Sequence, residues 1–128
     1  MNETSPSKVK KSNKTFPQLV TNINEALLEK KAEHINVLDV RGITTLTDFF
    51  IVCNGGSESQ IKALADNVSE KVKEATGEHV WRKEGLDSKK WVVLDYVDVV
   101  VHIFNRENRE YYALEKMWND AKVTTVED

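Results

Sequence analysis

Two stretches of the sequence contain residue types that could bind or transform a ligand. The first, residues 47–60 (TDFFIVCNGGSESQ), is typical of a strand, a glycine turn and the start of a helix. Such a turn can hold a phosphate, because free backbone N–H groups and the helix dipole both point toward the anion. Neither the lysine of a P-loop nor the G-x-G-x-x-G fingerprint of dinucleotide-binding proteins is present. The phosphate-binding signal is therefore weak.

A more specific hypothesis for this turn is a nucleotidyltransferase, in which the next strand supplies two carboxylates for metal ions. The carboxylates must lie two residues apart on one strand face to reach the same metals. The next predicted strand, residues 79–82 (HVWR), has none, and a solvated helix face explains Asp66 and Glu70 equally well. The sequence thus favours a structural role for Gly55-Gly56-Ser57, with a nucleotide-binding protein or nucleotidyltransferase as the alternative. It predicts no catalytic residue, no metal site and no cofactor.

The second stretch, residues 91–104 (WVVLDYVDVVVHIF), contains Asp95, Asp98 and His102, which could be an acid/base set. Four residues of strand span about 13 Å, so Asp98 and His102 cannot bond directly within one strand. No nucleophile accompanies them, and a structural or interaction role is the better interpretation. The stretch is long for one strand and predicts a β-hairpin.

A two-residue turn at Tyr96 and Val97 would place Asp95 opposite Asp98, and Trp91 opposite His102. One hairpin face is then apolar and suits a helix layer: Val92, Leu94, Val99, Val101 and Ile103. The other mixes apolar, aromatic and charged side chains: Trp91, Val93, Val100, Phe104, Asp95, Asp98 and His102. Facing aspartates need a cation, which a partner or another part of this chain, such as Arg106, could supply.

An apolar patch with an aromatic anchor and an acidic rim is typical of a docking surface for a partner, and neutralisation of the aspartates within the chain is the equal alternative at this point. Trp91 would be its apolar anchor, Asp95 and Asp98 would meet basic groups, and Tyr96 and His102 would flank them.

Hydrophobic periodicity and capping signals predict the elements around these stretches. Ser57 and Gln60 have the spacing of a capping box, and Gly77 is placed to end the helix behind them. The predicted order is a helix at 17–31, strands at 35–40 and 47–54, a helix from the Ser57 cap to 76, a strand at 79–82, the hairpin at 91–104 and a helix after Asn105. This order predicts an α+β fold, a mixed five-stranded sheet with helices mainly on one face.

At 128 residues the chain predicts one domain, at 16–121, between a disordered basic tail at 1–15 and a frayed tail at 122–128. No apolar run reaches the length of a membrane span, and the N-terminus lacks the apolar core of a signal peptide, so we expect a cytoplasmic protein. The single cysteine, Cys53, can form no internal disulfide and is predicted to be buried.

The charge distribution indicates what kind of partner the domain can bind. Residues 1–15 carry four lysines against Glu3, a charge of +3, so that the whole-chain charge of -3 leaves -6 for the remainder. An acidic domain repels a phosphate backbone and is better suited to a basic protein. Contact with RNA is expected at most through the lysine tail.

Over residues 19–118 the chain resembles the ribosomal silencing factor (RsfS, or Iojap) family. The resemblance rests on three stretches together: LDVRGITTLTDFFIVCNGGSESQIKALADNV, WVVLDYVDVVVHIF and REYYALEKMW. It implies a nucleotidyltransferase-like fold without the catalytic carboxylates. Val97 departs from the pattern, since the family commonly has glycine there, and a tight turn with positive φ would be strained by valine.

The resemblance also implies a function. Members bind ribosomal protein fourteen of the large subunit, at the subunit interface, and block joining of the small subunit when nutrients are scarce. They are not enzymes, and they are often homodimers in isolation.

Overall fold

The computed structural model describes residues 16–127, which form one six-stranded sheet with helices on both faces. The elements are α1 (Gln18–Glu29), β1 (Glu33–Asp39), β2 (Phe49–Gly55), α2 (Glu58–Thr76), β3 (Arg82–Glu84), β4 (Trp91–Asp95), β5 (Val99–Asn105), α3 (Arg106–Tyr112), α4 (Leu114–Met117) and β6 (Lys122–Val126). The strand order is β3-β4-β5-β2-β1-β6. The mixed α+β class is confirmed, whereas the count of five strands is wrong.

The central strands β2 and β5 run parallel, and every other neighbouring pair is antiparallel. All seven residues of β2 are buried, as its continuous apolar run predicts. The sixth strand is the segment expected to fray: residues 122–126 pair with β1 and cover its outer edge. The strand expected at 79–82 begins only at Arg82. The predicted tail at 1–15 lies outside the described residues.

Helices α1 and α2 cover one face of the sheet and form the main core with it. Ser57 caps α2, since its Oγ accepts from the Gln60 backbone N–H at 3.1 Å, and Gly77 ends the helix in the left-handed conformation. The hairpin side chains predicted to face a helix layer all lie in this core, and Cys53 is buried there too. No helix in the described part of the chain is long and apolar enough to cross a membrane.

The second face of the sheet is covered only in part. One helix was expected after Asn105, but Ala113 adopts a left-handed conformation (φ 49°, ψ 55°) and divides it into α3 and α4. These short helices pack Leu114 and Trp118 against a smaller apolar cluster that includes Phe50 and Phe104. The helices are therefore divided between the two faces.

The hairpin register differs from the expected one by two residues. Trp91 pairs with Phe104 and Asp95 with Val100, because the two-residue turn lies at Val97 and Asp98, one residue later than expected, and the Tyr96 N–H donates to the Val99 carbonyl at 2.8 Å. A shift of two keeps every side chain on its face, since side chains alternate with a period of two. The predicted division into an apolar and a mixed face is thus retained along the strands. The opposition of Asp95 and Asp98 is wrong.

Candidate docking surface

Trp91 lies at the centre of an aromatic cluster on the second face of the sheet. Its ring stacks on Phe104 at a centroid distance of 5.0 Å and contacts Tyr112 of α3 at 4.5 Å. The indole is half-buried, and its neighbours Val93, Asp95 and Val100 are also only partly covered. We call these four residues, Trp91, Val93, Asp95 and Val100, the open face.

His102 fixes the orientation of the Trp91 side chain. The indole Nε1–H donates to His102 Nδ1 at 2.9 Å, and this imidazole is only 7% exposed. Because Nδ1 accepts this bond, a neutral His102 carries its proton on Nε2. Burial lowers the pKa of His102 to about 4, although the carboxylate of Asp95 acts in the opposite direction. His102 therefore lies behind Trp91 as a support rather than beside it as a contact.

Asp95 holds the hairpin turn instead of facing another aspartate. Its Oδ1 accepts from the Val97 backbone N–H at 2.8 Å, and its Oδ2 lies 4.0 Å from the Arg82 guanidinium on the neighbouring strand. Arg106, the cation considered within the chain, pairs with Glu33. No pair of facing aspartates needs a cation here, because Asp95 faces Val100 and Asp98 lies in the turn. Asp95 remains on the open face as a partly exposed carboxylate.

The structure separates the two remaining predicted contacts from the open face. Tyr96 is 4% exposed and packs in the main core, so its side chain is not available to a partner. This burial raises the pKa of its hydroxyl to about 12. Asp98 lies at the exposed tip of the hairpin, where its backbone carbonyl accepts from the N–H groups of Asp48 and Phe49. Asp98 therefore belongs to the end of the sheet.

In the glycine turn at residues 55–57, a backbone N–H group that could bind a ligand is already hydrogen-bonded within the chain. The Gly56 N–H, which a phosphate would need, donates to Gln60 Oε1 at 2.7 Å. The Gln60 Nε2 donates to the carbonyls of Lys30 and Lys31, so that the end of α1 is tied to the start of α2. The adjacent cavity is lined by the carboxylates of Glu58 and Glu107, which repel an anion, and by Arg106, whose charge is already paired with Glu33. These contacts favour the structural interpretation of the turn.

Arg109 joins the C-terminal helices to the sheet and was not found by sequence reasoning. Its guanidinium donates to the His34 carbonyl, to Asn54 Oδ1 at 3.0 Å and to the Glu115 carboxylate. Glu115 also accepts from Asn36 of β1 at 3.0 Å. The three bonds to the sheet join residues that are 55, 75 and 79 positions apart, so no local spacing in the sequence signals them. They fix α3 and α4, and with them Tyr112, beside Trp91.

The fold and the open face define an α+β protein that presents an anchored tryptophan on a partly uncovered sheet. Among residues 16–127 no three side chains of His, Cys, Asp or Glu are grouped so as to hold a metal ion. The model of the family described as "Ribosomal silencing factor during starvation" (RsfS) matches residues 13–128. The chain therefore belongs to the RsfS family, and the resemblance found in its motifs is confirmed.

Individual relatives agree with this assignment. The ribosomal silencing factor RsfS of Halalkalibacterium halodurans is 41% identical over 91% of this chain and 96% of its own length. That of Bacillus subtilis is 40% identical over 77% of this chain and 83% of its own. A crystal structure of a Chromobacterium violaceum protein superimposes with a TM-score of 0.77 at 39% identity, covering 80% of this chain and 84% of that one.

Proposed function

We propose that this chain silences the ribosome by binding a protein of the large subunit and blocking association with the small subunit. The observation that carries the proposal is the fixed, half-exposed Trp91 on the open face. Membership of the RsfS family supports the ribosome as the target. By its resemblance to that family, the protein partner is ribosomal protein fourteen, at the subunit interface.

The open face has the properties of a preorganised docking site. Tryptophan is among the residues that most often dominate binding energy at protein interfaces. His102 and Tyr112 already hold the indole in one orientation, so binding costs less side-chain entropy than it would for a free tryptophan. The partly exposed Asp95 and the acidic domain suit a basic protein surface.

Silencing by this route needs no chemical step. The bound domain occupies space that the small subunit requires, so the block is steric and involves no reactive group. We place this action in the cytoplasm and under nutrient limitation. If the chain contacts ribosomal RNA, it does so only through the lysines of residues 1–15.

In the free protein, the open face is also suited to a second copy of the chain. A homodimer formed there would cover Trp91 until the ribosomal partner replaced it. Light scattering over a dilution series tests this directly: Trp91→Ala should shift the chain toward monomer at every concentration. A dimer that is unchanged in Trp91→Ala would place the dimer contact elsewhere.

Co-sedimentation with purified large subunits tests the proposed function. Trp91→Ala should weaken binding by about tenfold or more, as expected for a central anchor. Trp81→Ala is the matched control, since Trp81 is 65% exposed but lies outside the open face. Asp95→Asn removes the charge and keeps an oxygen that can accept from the Val97 N–H. Any loss of affinity for the large subunit in this variant is therefore due to the charge. Equal binding by wild type and Trp91→Ala would overturn the assignment of the open face.

A further inference from the structure

The end of the sheet at which β4 turns into β5 exposes three apolar side chains. Leu46 is 76% exposed, Val97 55% and Ile43 43%. The loop at 40–48 and the hairpin turn lie together, because Thr47 Oγ1 donates to the Val97 carbonyl at 2.9 Å and Asp48 N–H to the Asp98 carbonyl at 3.0 Å. We call Ile43, Leu46 and Val97, with the acids Asp48 and Asp98, the hairpin-end surface.

Val97 adopts a conformation that its side chain disfavours. Its φ is +76°, a region that glycine enters freely and that a β-branched residue occupies only under constraint. Three hydrogen bonds hold it there: the Val97 N–H donates to Asp95 Oδ1, its carbonyl accepts from the buried Thr47, and the Asp98 N–H donates to the Tyr96 carbonyl across it at 2.9 Å. The side chain is mostly in solvent, so packing does not account for a valine here. Strain at a mostly exposed side chain is a feature found repeatedly at binding sites, and here it coincides with an exposed apolar group.

The charges around these apolar groups are acidic. Asp48 and Asp98 are both exposed. The nearby cation, Arg41, is engaged by Asp39 through two hydrogen bonds of 3.0 and 2.7 Å and lies over the Phe49 ring. A nucleic-acid backbone would be repelled by such a surface, whereas lysine or arginine side chains would be attracted to it.

We propose that the hairpin-end surface is a second docking area, which binds a lysine- or arginine-rich protein segment that also carries aliphatic side chains. The inference rests on the proposed function in that the segment belongs to the large-subunit protein bound at the open face. Trp91 begins β4 and Val97 lies just beyond its end, about 20 Å away. A protein interface of ordinary size spans that distance. One partner can therefore contact both areas.

Photo-crosslinking identifies what covers this surface. Leu46 is replaced by p-benzoylphenylalanine in the full chain, and the chain is bound to purified large subunits. The complex is irradiated and then digested with ribonuclease or protease. The expected product is a crosslink, resistant to ribonuclease, to a lysine- or arginine-rich segment of a ribosomal protein. A crosslink to RNA, to residues 1–15 of the chain itself or to a second copy would overturn the proposal.

Binding measurements separate this inference from the proposed function. The double variant Leu46→Ser/Val97→Gly should bind large subunits about tenfold more weakly than wild type, while Leu46→Met as control keeps wild-type affinity. If the double variant keeps its affinity while Trp91→Ala loses it, the hairpin-end inference fails and the proposed function remains. If the wild-type chain does not bind large subunits, both fail.

Discussion

Replacing Val97 by glycine should stabilise the protein, although it removes an apolar side chain. A non-glycine residue at φ +76° carries strain of about 1–2 kcal/mol, which glycine does not. Glycine gains extra freedom in the unfolded chain, at a cost of about 0.5–1 kcal/mol. The valine side chain is mostly exposed, so little packing is lost. The net gain in the free energy of unfolding should therefore be about 0.5–1 kcal/mol, or roughly 2–5 °C in the melting temperature.

Urea denaturation followed by tryptophan fluorescence, together with a thermal melt, measures this difference. Val97→Asn should also stabilise, because asparagine tolerates the left-handed region, whereas Val97→Ala keeps most of the strain. Val100→Gly is the matched control within the same hairpin and should destabilise, since it weakens an ordinary strand position. A Val97→Gly protein that is less stable than wild type would refute the strain argument. A more stable variant that binds large subunits more weakly would show that the strain serves binding.

Three further predictions concern the interior and the glycine turn. Because the pKa of His102 is about 4 in the fold against 6.5 for an ordinary histidine, the unfolded chain takes up the proton first as the pH falls. The free energy of unfolding should decrease by about 3 kcal/mol from pH 6.5 to pH 4. The His102→Asn variant does not titrate but can still accept the hydrogen bond from Trp91, so its free energy of unfolding should not show this decrease. Urea denaturation of wild type and variant between pH 6.5 and pH 4 measures the difference. Gln60→Met should lower the free energy of unfolding by about 1–2 kcal/mol, because it removes the bonds to Gly56, Lys30 and Lys31. The exposed Gln18→Met should change it little, and equal effects would refute the role of Gln60. Calorimetry with ATP and Mg²⁺ should show no saturable heat, since the Gly56 N–H is already bonded; saturable binding would restore the nucleotide-binding hypothesis.

Local sequence signals were sufficient for much of the fold. The apolar stripe and the Ser57 cap define α2, and the continuous run of β2 places it inside the sheet. The capping box was only half right, because Gln60 bonds to Gly56 instead of closing on Ser57. The alternation of β4 and β5 separated the two faces of the hairpin, even with the register wrong. These features depend on near neighbours in the chain.

What the sequence did not reveal depends on distant parts of the chain. The segment at 122–126 becomes a strand only because β1, more than eighty residues earlier, offers it a free edge. The turn lies one residue later than expected, at Val97 and Asp98, because bonds to Asp95 and Thr47 hold Val97 at positive φ, which valine disfavours. With this turn, the Tyr96 side chain lies in the main core and Asp98 lies at the exposed tip of the hairpin. Two of the five predicted contact residues thus left the open face, and a third, His102, lies behind Trp91.

A subunit-joining experiment tests directly whether the bound chain keeps the ribosomal subunits apart. Purified large subunits are incubated with the full chain, small subunits are added, and a sucrose gradient separates joined from free particles. If the bound domain blocks association, wild type keeps the subunits apart at stoichiometric amounts, Trp81→Ala does the same, and Trp91→Ala lets them join. Normal joining in the presence of wild-type chain that sediments with the large subunit would contradict the claim that the bound domain blocks association.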